Sequence, residues 1–329
     1  MPELRKDPVV SRWVIIATER ARRPAAFVDP VEHTTPADTC PFCKGEQAEQ
    51  VYAYDGVRVV KSGTPFFNSA ASFAPRVHGL YEVCPSYGAH EVVIETPQHI
   101  ANMADLPVEQ IKNVFATYAL RMRHHQQDAA VKYVLAYKNY GLAAGSRDIG
   151  HTRSQIMAVP VLPIRVKDKI IGAKRYFDFH ERCLFEDLVQ QERRERERVV
   201  LETDNFIAFT PFAARFPFET WIVPKRHHWD FAQGVAGLEG ELAMVMKILL
   251  LKFKTGLHDP AYNFVIHSAP FEGGKPDSVK YPTICEDYRW HIELMPRLTR
   301  VAGFERGTGF YICPIPPEMA AKFLREVQA

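Results

Sequence analysis

Cysteine is scarce in this chain: six residues in 329, Cys40, Cys43, Cys84, Cys183, Cys285 and Cys313. So few, so widely scattered, exclude a disulfide scaffold and point to a reducing setting. Long apolar runs are missing too. The most apolar stretch, Leu242 to Phe253, is interrupted by Lys247 and Lys252 and is too short to span a bilayer. The first residues hold only Trp13-Val-Ile-Ile-Ala17 between charges, so no signal peptide is expected. Neither sign of charge dominates. Lys+Arg 41 against Asp+Glu 39 gives +2, which supplies no general attraction for nucleic acid or anionic lipid. A cytoplasmic protein without nucleic-acid or membrane partners is expected, and any anion site must be built locally.

What is present is core material. Hydrophobic residues make up 47% and aromatics 12%, enough for a sizeable core in about two domains. Apolar spacing predicts helices over Val108–His125 and Leu238–Leu257. A strand-like run precedes each: His90–Glu95, ending at Pro97 and His99, and Phe218–Val223, ending at Pro224 and His227. Two strands follow each helix: Lys132–Lys138 and Gln155–Val161 after the first, Tyr262–His267 and Trp290–Leu294 after the second. The order strand, Pro, His, helix, strand, strand occurs twice, with His99 and His227 offset by 128 residues. That offset reads as an internal duplication. Halves 1–166 and 202–329 are expected, joined by a charged linker over 167–201 that carries Glu192-Arg-Arg-Glu-Arg-Glu-Arg198. Because its charges alternate, that run reads as a solvated linker or exposed helix rather than a binding patch.

Cys40-Pro-Phe-Cys43 is either a redox dithiol or half of a zinc site. No thioredoxin-like βαβ pattern surrounds it. Zinc needs two more nitrogen or sulfur ligands, for which His99 and His151, each at a strand boundary, are candidates. The loop Asn139–Gly150 carries three glycines before His151-Thr-Arg-Ser-Gln155; small residues there let backbone N–H groups approach a phosphate, or simply make a turn.

Several segments occur in a fixed order: Glu3–Pro8, Trp13–Ala17, Glu19–Pro24, Cys40–Cys43, Pro97-Gln-His99 and His151-x-Arg153-x-Gln155. Trp290-His-Ile-Glu293, Pro296-Arg297 and Ala302–Gly309 follow. Together they run nearly end to end and resemble the galactose-1-phosphate uridylyltransferase family of the histidine-triad superfamily, including its plant-type nucleoside-diphosphate-sugar phosphorylase branch. The resemblance implies an α+β fold of two tandem histidine-triad-like halves, each a mainly antiparallel sheet with a packed helix. It also implies one structural zinc on Cys40, Cys43, His99 and His151.

Family members move a nucleoside monophosphate from a nucleoside-diphosphate sugar to a hexose 1-phosphate or phosphate, through a nucleotidyl-histidine. The attacking histidine matches Arg153 here, and a guanidinium has no lone pair to offer. Arg153 can instead clamp phosphate oxygens. Gln155 matches the glutamine that bonds the transferring phosphate. Arg20, Arg23, Asn68, Asn139 and Ser146 match nucleotide or phosphate contacts, and Phe304 and Glu305 match a segment reported to come across a dimer interface. A homodimer is therefore expected. In the second half, Arg289-x-His291-x-Glu293 takes the place of His151-x-Arg153-x-Gln155, which makes His291 the motif-placed candidate for another nucleophile. A second metal is not expected, since Cys183-Leu-Phe-Glu186 lacks the second cysteine of a pair and His227, His267, His291 and Glu293 read as core or surface. Two functions follow: a transferase or phosphorylase with an altered mechanism, or a nucleotide-sugar-binding protein that has lost turnover.

Overall fold

The computed structural model of the chain describes residues 1–20, 35–45, 49–146, 149–272, 275–276 and 280–328. Ten strands form one sheet: β1 (Gln50–Tyr54), β2 (Val57–Lys61), β3 (Ala89–Ile94), β4 (Tyr133–Tyr140) and β5 (Arg153–Val159) from the first half, with β6 (Val199–Glu202), β7 (Phe206–Phe209), β8 (Thr220–Pro224), β9 (Tyr262–His267) and β10 (His291–Pro296) from the second. Their order across the sheet is β6-β7-β8-β10-β9-β4-β5-β3-β2-β1. Every pairing is antiparallel. Each half thus repeats one topology, and the two meet at β4 and β9.

The duplication read from the sequence is visible in the register. Tyr137 faces Val265 across that central pair, and the two are separated by the same 128 residues as His99 and His227. Gln155 faces Tyr137, and Val265 faces Glu293, so Gln155, Tyr137, Val265 and Glu293 form one row across four strands.

Long helices cover one face of the sheet: α1 (Val108–Gln126) and, after α2 (Ile164–His180) and α3 (Leu184–Glu195), α4 (Glu239–Gly256). In α1, Ile111, Val114, Phe115, Tyr118 and Met122 are buried, the three-and-four spacing of one helix stripe. Leu242, Val245, Met246, Leu249, Leu250 and Phe253 do the same in α4. They meet Val134, Ala136, Ile156, Ala158, Ile222, Phe264, Ile266, Ile292 and Leu294, the alternate positions of the strands, in one core. Period 2 in the strands therefore sends Tyr137, Arg153, Gln155, Val265 and Glu293 to the opposite face. Truncating a core anchor such as Phe115 to alanine would cost about 3–5 kcal/mol.

The segment expected as a linker is structured. Helix α2 crosses the expected boundary at 166, and α2 and α3 pack Val166, Ile170, Ala173, Leu184, Phe185 and Val189 into a second core with Tyr133, Phe209 and Trp221. The alternating charges fold back on themselves. Glu192 and Arg198 are almost fully buried and pair at 3.0 Å, while Arg198 also reaches Glu195 at 2.7 Å. In the sequence the run reads as a solvated linker or exposed helix; its first part is helical, and what differs is that Glu192 and Arg198 are buried. A small separate sheet joins Glu3–Lys6, Trp13–Ile16 and Tyr311–Cys313, tying the N-terminus to the C-terminal region. No helix among the described residues is long and apolar enough to cross a membrane.

Candidate functional site

Cys40 and Cys43 flank the start of a short helical turn, Pro41–Lys44, whose Phe42 carbonyl accepts a 2.7 Å hydrogen bond from Arg58 on β2. His99 lies past the end of β3 and His151 just before β5. These four side chains come together, with ligand atoms within 4.8 Å of one another. Cys43 Sγ is 3.3 Å from His99 Nδ1 and 3.4 Å from His151 Nδ1, and Cys40 Sγ is 3.6 Å from His151 Nδ1. Ligands held 2.0–2.3 Å from a zinc at tetrahedral angles stand about 3.3–3.8 Å apart, so the donor set fits that ion. The outer nitrogens fit it as well. His151 Nε2 lies 2.9 Å from the Thr96 carbonyl and His99 Nε2 3.2 Å from that of Thr35. A carbonyl only accepts, so each Nε2 carries the hydrogen and each Nδ1 turns a lone pair inward. Burial holds the His151 imidazole below the usual histidine range, in the neutral form a metal requires. All four positions are protein ligands, which is the closed arrangement of a structural site.

Beside this cluster, on the sheet face opposite α1 and α4, lies a cleft of about 560 Å³. Arg153, Gln155, Asn139 and Ser146 line it, together with His90, Tyr137, Phe42 and Phe66. Gly141 and Gly145 have positive φ (80° and 85°) on either side of the turn Leu142–Ala144, a backbone path that favours glycine and brings Ser146 over the strands. Ser146 Oγ is 3.1 Å from Arg153 Nη2, and Arg153 Nη1 reaches the carbonyls of Ile149 and His151 at 3.2 Å each. The guanidinium also lies over the Phe42 ring, 5.4 Å from its centroid. Arg153 therefore ties the glycine-bearing loop to the strand that starts at the Cys/His cluster. Asn139 Oδ1 accepts from Asn263 at 2.6 Å across the central strand pair.

Gln155 is held from two sides. Its Oε1 is 2.8 Å from His90 Nε2 and 2.9 Å from Tyr137 Oη. The direction of these bonds follows from chemistry. The Phe66 N–H can only donate, and it points at His90 Nδ1 at 3.4 Å. Nδ1 is then the acceptor, Nε2 carries the hydrogen, and Gln155 Oε1 must accept. Tyr137 stays a donor because burial pushes its phenol up to about 12. With Oε1 saturated, the Gln155 amide NH₂ is the group left to address a ligand.

Behind the strand, on the helix side, Lys138 is wholly buried and donates to Glu95 (2.6 Å), Thr152 (2.7 Å) and the Arg153 carbonyl (2.9 Å). Tyr118 on α1 bonds Ser154 at 2.6 Å in the same network. This buried lattice fixes the start of β5 between the Cys/His cluster and the cleft.

Other expected site residues lie elsewhere. Asn68 is outside the cleft, in a neighbouring cavity that shares His90, Lys61 and Ser62 with it, and its Oδ1 accepts from the Ala70 N–H at 2.9 Å. Phe304 and Glu305 sit on the turn Gly303–Thr308, away from this cleft; Glu305 accepts the N–H groups of Ala302 and Ile312 there. Arg23 and the Arg20 side chain fall outside the described residues. His291, expected as another nucleophile, does not enter the cleft. It is fully buried, and β10 is three strand steps from β5, about 14 Å at 4.8 Å per step. Its Nε2 is taken by Lys169 at 2.7 Å. The same face of the second half carries a larger cavity, about 800 Å³, with the ion-paired Lys169, Arg215 and Glu293 among its lining. His90, Tyr137 and Lys138 were missed by the sequence reading. The parity of β3 and β4 was the available signal for the first two: His90 shares a face with Val92, and Tyr137 with Leu135, opposite the core-facing Val93 and Ala136.

Residues 1–163 match the N-terminal domain of galactose-1-phosphate uridyl transferase, and residues 170–306 match its C-terminal domain. The chain belongs to the galactose-1-phosphate uridylyltransferase family. An ADP-glucose phosphorylase from Arabidopsis thaliana is 34% identical over 99% of this chain and 93% of its own length. A galactose-1-phosphate uridylyltransferase from Thermotoga maritima is 29% identical over 100% of this chain and 99% of its own. A crystal structure of an Arabidopsis thaliana ADP-glucose phosphorylase with bound ADP-glucose superposes with a TM-score of 0.82 at 32% identity, covering all of both chains. A uridylyltransferase structure gives 0.77 at 29%, over 99% and 97% of the two chains. The family fold, read from the motifs alone, is thereby established.

Proposed function

We propose that the chain is a nucleotidyltransferase acting on a nucleoside-diphosphate sugar, with a hexose 1-phosphate or inorganic phosphate as acceptor and no covalent intermediate. The observation that carries this reading is the cleft floor. Arg153 and Gln155 stand side by side on β5, one a permanent cation, the other an amide oriented by His90 and Tyr137. Both offer N–H donors to a phosphate and neither offers a nucleophilic nitrogen. Among the described residues that line the cleft, His90 is the one imidazole, and both its nitrogens are engaged.

A direct displacement satisfies the chemistry. An oxygen of the acceptor phosphate bonds to the α-phosphorus while the bond from that phosphorus to the bridging oxygen breaks. The sugar 1-phosphate leaves with the bonding pair, and the nucleoside monophosphate ends on the acceptor. Charge on the equatorial oxygens would be met by the Arg153 guanidinium and the Gln155 amide, donors already fixed before the ligand arrives. Cys40, Cys43, His99 and His151 would hold a zinc ion whose part is to brace the loop and strand carrying Arg153, with no open position for chemistry.

A screen of UDP- and ADP-sugars against phosphate and hexose 1-phosphates, scored for turnover and for binding separately, tests the proposal. Turnover with at least one pair supports it. Tight binding without turnover for any pair supports the alternative, a nucleotide-sugar-binding protein. Absence of both overturns the reading of the cleft.

A further inference from the structure

The second half contains a metal-type donor set with a side chain already in it. His267 on β9, and His291 and Glu293 on β10, bring one ligand atom each within 4.8 Å of one another, all buried. Two imidazoles and a carboxylate form a common donor set for a divalent transition metal. The tautomer is also right. His291 Nδ1 lies 3.0 Å from the Arg289 carbonyl, so it carries the hydrogen and Nε2 keeps its lone pair. Among the described residues, none meets either His267 ring nitrogen in good hydrogen-bond geometry, and its Nε2 stands 3.4 Å from Glu293 Oε2.

What stands there is Lys169, reaching in from α2. Its Nζ is 2.7 Å from His291 Nε2 and 2.5 Å from Glu293 Oε1, and it lies 5.2 Å from the Trp221 ring centroid. Those contacts use the lone pair and the carboxylate oxygen that a metal would need. Arg215 Nη2 takes the other carboxylate oxygen at 2.6 Å. A divalent ion added to this set would compete for the same atoms and sit within a few ångströms of two buried cations, which a low-dielectric interior opposes strongly. The wild-type residues therefore do not fit a second metal.

We propose that the Lys169 ammonium is the resident cation of the second half, occupying the position of a metal ion among His267, His291 and Glu293, so that removing it opens a transition-metal site. Space and access are already there. Lys169, His267 and Glu293 line the 800 Å³ cavity, so a shortened side chain leaves a path for a hydrated ion. This half then holds its sheet and helix together with a fixed organic cation, where the other half offers a four-ligand cluster.

The test compares wild type, Lys169→Ala and the double variant Lys169→Ala/His267→Ala, each purified full-length, exposed to zinc and counted for metal per chain. Lys169→Ala is expected to hold one equivalent more than wild type, and the double variant to return to the wild-type count. Cobalt gives an independent readout. The added site should show ligand-field absorption without the thiolate charge-transfer band that a Cys40/Cys43 site would produce. If Lys169→Ala is unfolded without metal, zinc is expected to restore its fold. Three outcomes overturn the proposal: a folded Lys169→Ala with no added metal, an unfolded one that zinc does not rescue, or a wild-type protein that takes the extra ion and loses it on His267→Ala. The comparison reads a difference between variants, so it stands whether or not the chain proves to be a transferase.

Discussion

His90 Nε2 donates to Gln155 Oε1 across 2.8 Å, on the diagonal between two neighbouring strands. Val92 faces Gln155 and His90 faces Met157, so the contact depends on the strand register as much as on either side chain. Its consequence is kinetic. His90→Ala frees the Gln155 amide to rotate and is expected to lower kcat about 3- to 10-fold, the size of one lost orienting hydrogen bond, with a smaller change in KM. Tyr137→Phe should act in the same direction, and the two effects should be less than additive because both bonds serve one atom. Steady-state kinetics of the single and double variants decide the matter; unchanged turnover in His90→Ala would remove the positioning role.

Metal analysis of the purified protein is expected to return about one zinc per chain. Cys43 is exposed, so chelators can reach the site, and stripping the ion should lower the thermal midpoint and slacken the loop that Arg153 ties down. Cys40→Ser and His151→Ala should lose the metal and the stability together. A fully folded, metal-free preparation would refute the assignment.

Glu91 predicts an acid limb in stability. Burial pushes its carboxyl up, but His125 and Arg121 outweigh this and bring it to about 2. A folded value below the unfolded one means the stabilisation is complete above the ordinary carboxylate range and is lost as pH falls through about 4.5 toward 2. Denaturant midpoints measured down that range should fall for wild type and fall less steeply for Glu91→Gln. Parallel curves would show that the pair with Arg121, at 2.5 Å, contributes nothing.

Much of the fold was legible in the sequence, for identifiable reasons. The stripe Ile111, Val114, Phe115, Tyr118, Met122 states a helix directly, and the repeated order of strand, proline and histidine states a duplication. The cysteine pair needed two distant histidines, and the resemblance supplied them; the structure brings all four together. Three things were hidden. That both halves share a single sheet depends on the Tyr137–Val265 pairing, a long-range contact that no local pattern encodes. The charge run Glu192–Arg198 reads as a solvated linker or exposed helix, and the burial of Glu192 against Arg198 is a pairing that alternating charge does not reveal. The engagement of His291 Nε2 by Lys169, more than a hundred residues away in the chain, is a contact that a motif cannot announce.

The central claim is that, with Arg153 on its floor, none of the described residues lining this cleft offers a phosphorus-attacking nitrogen, and labelling tests it most directly. Protein incubated with nucleotide-labelled ADP-glucose or UDP-glucose and then quenched in alkali should carry no acid-labile, histidine-linked nucleotide. Arg153→His should allow that adduct to form. Recovery of the adduct on the wild-type chain would contradict the account.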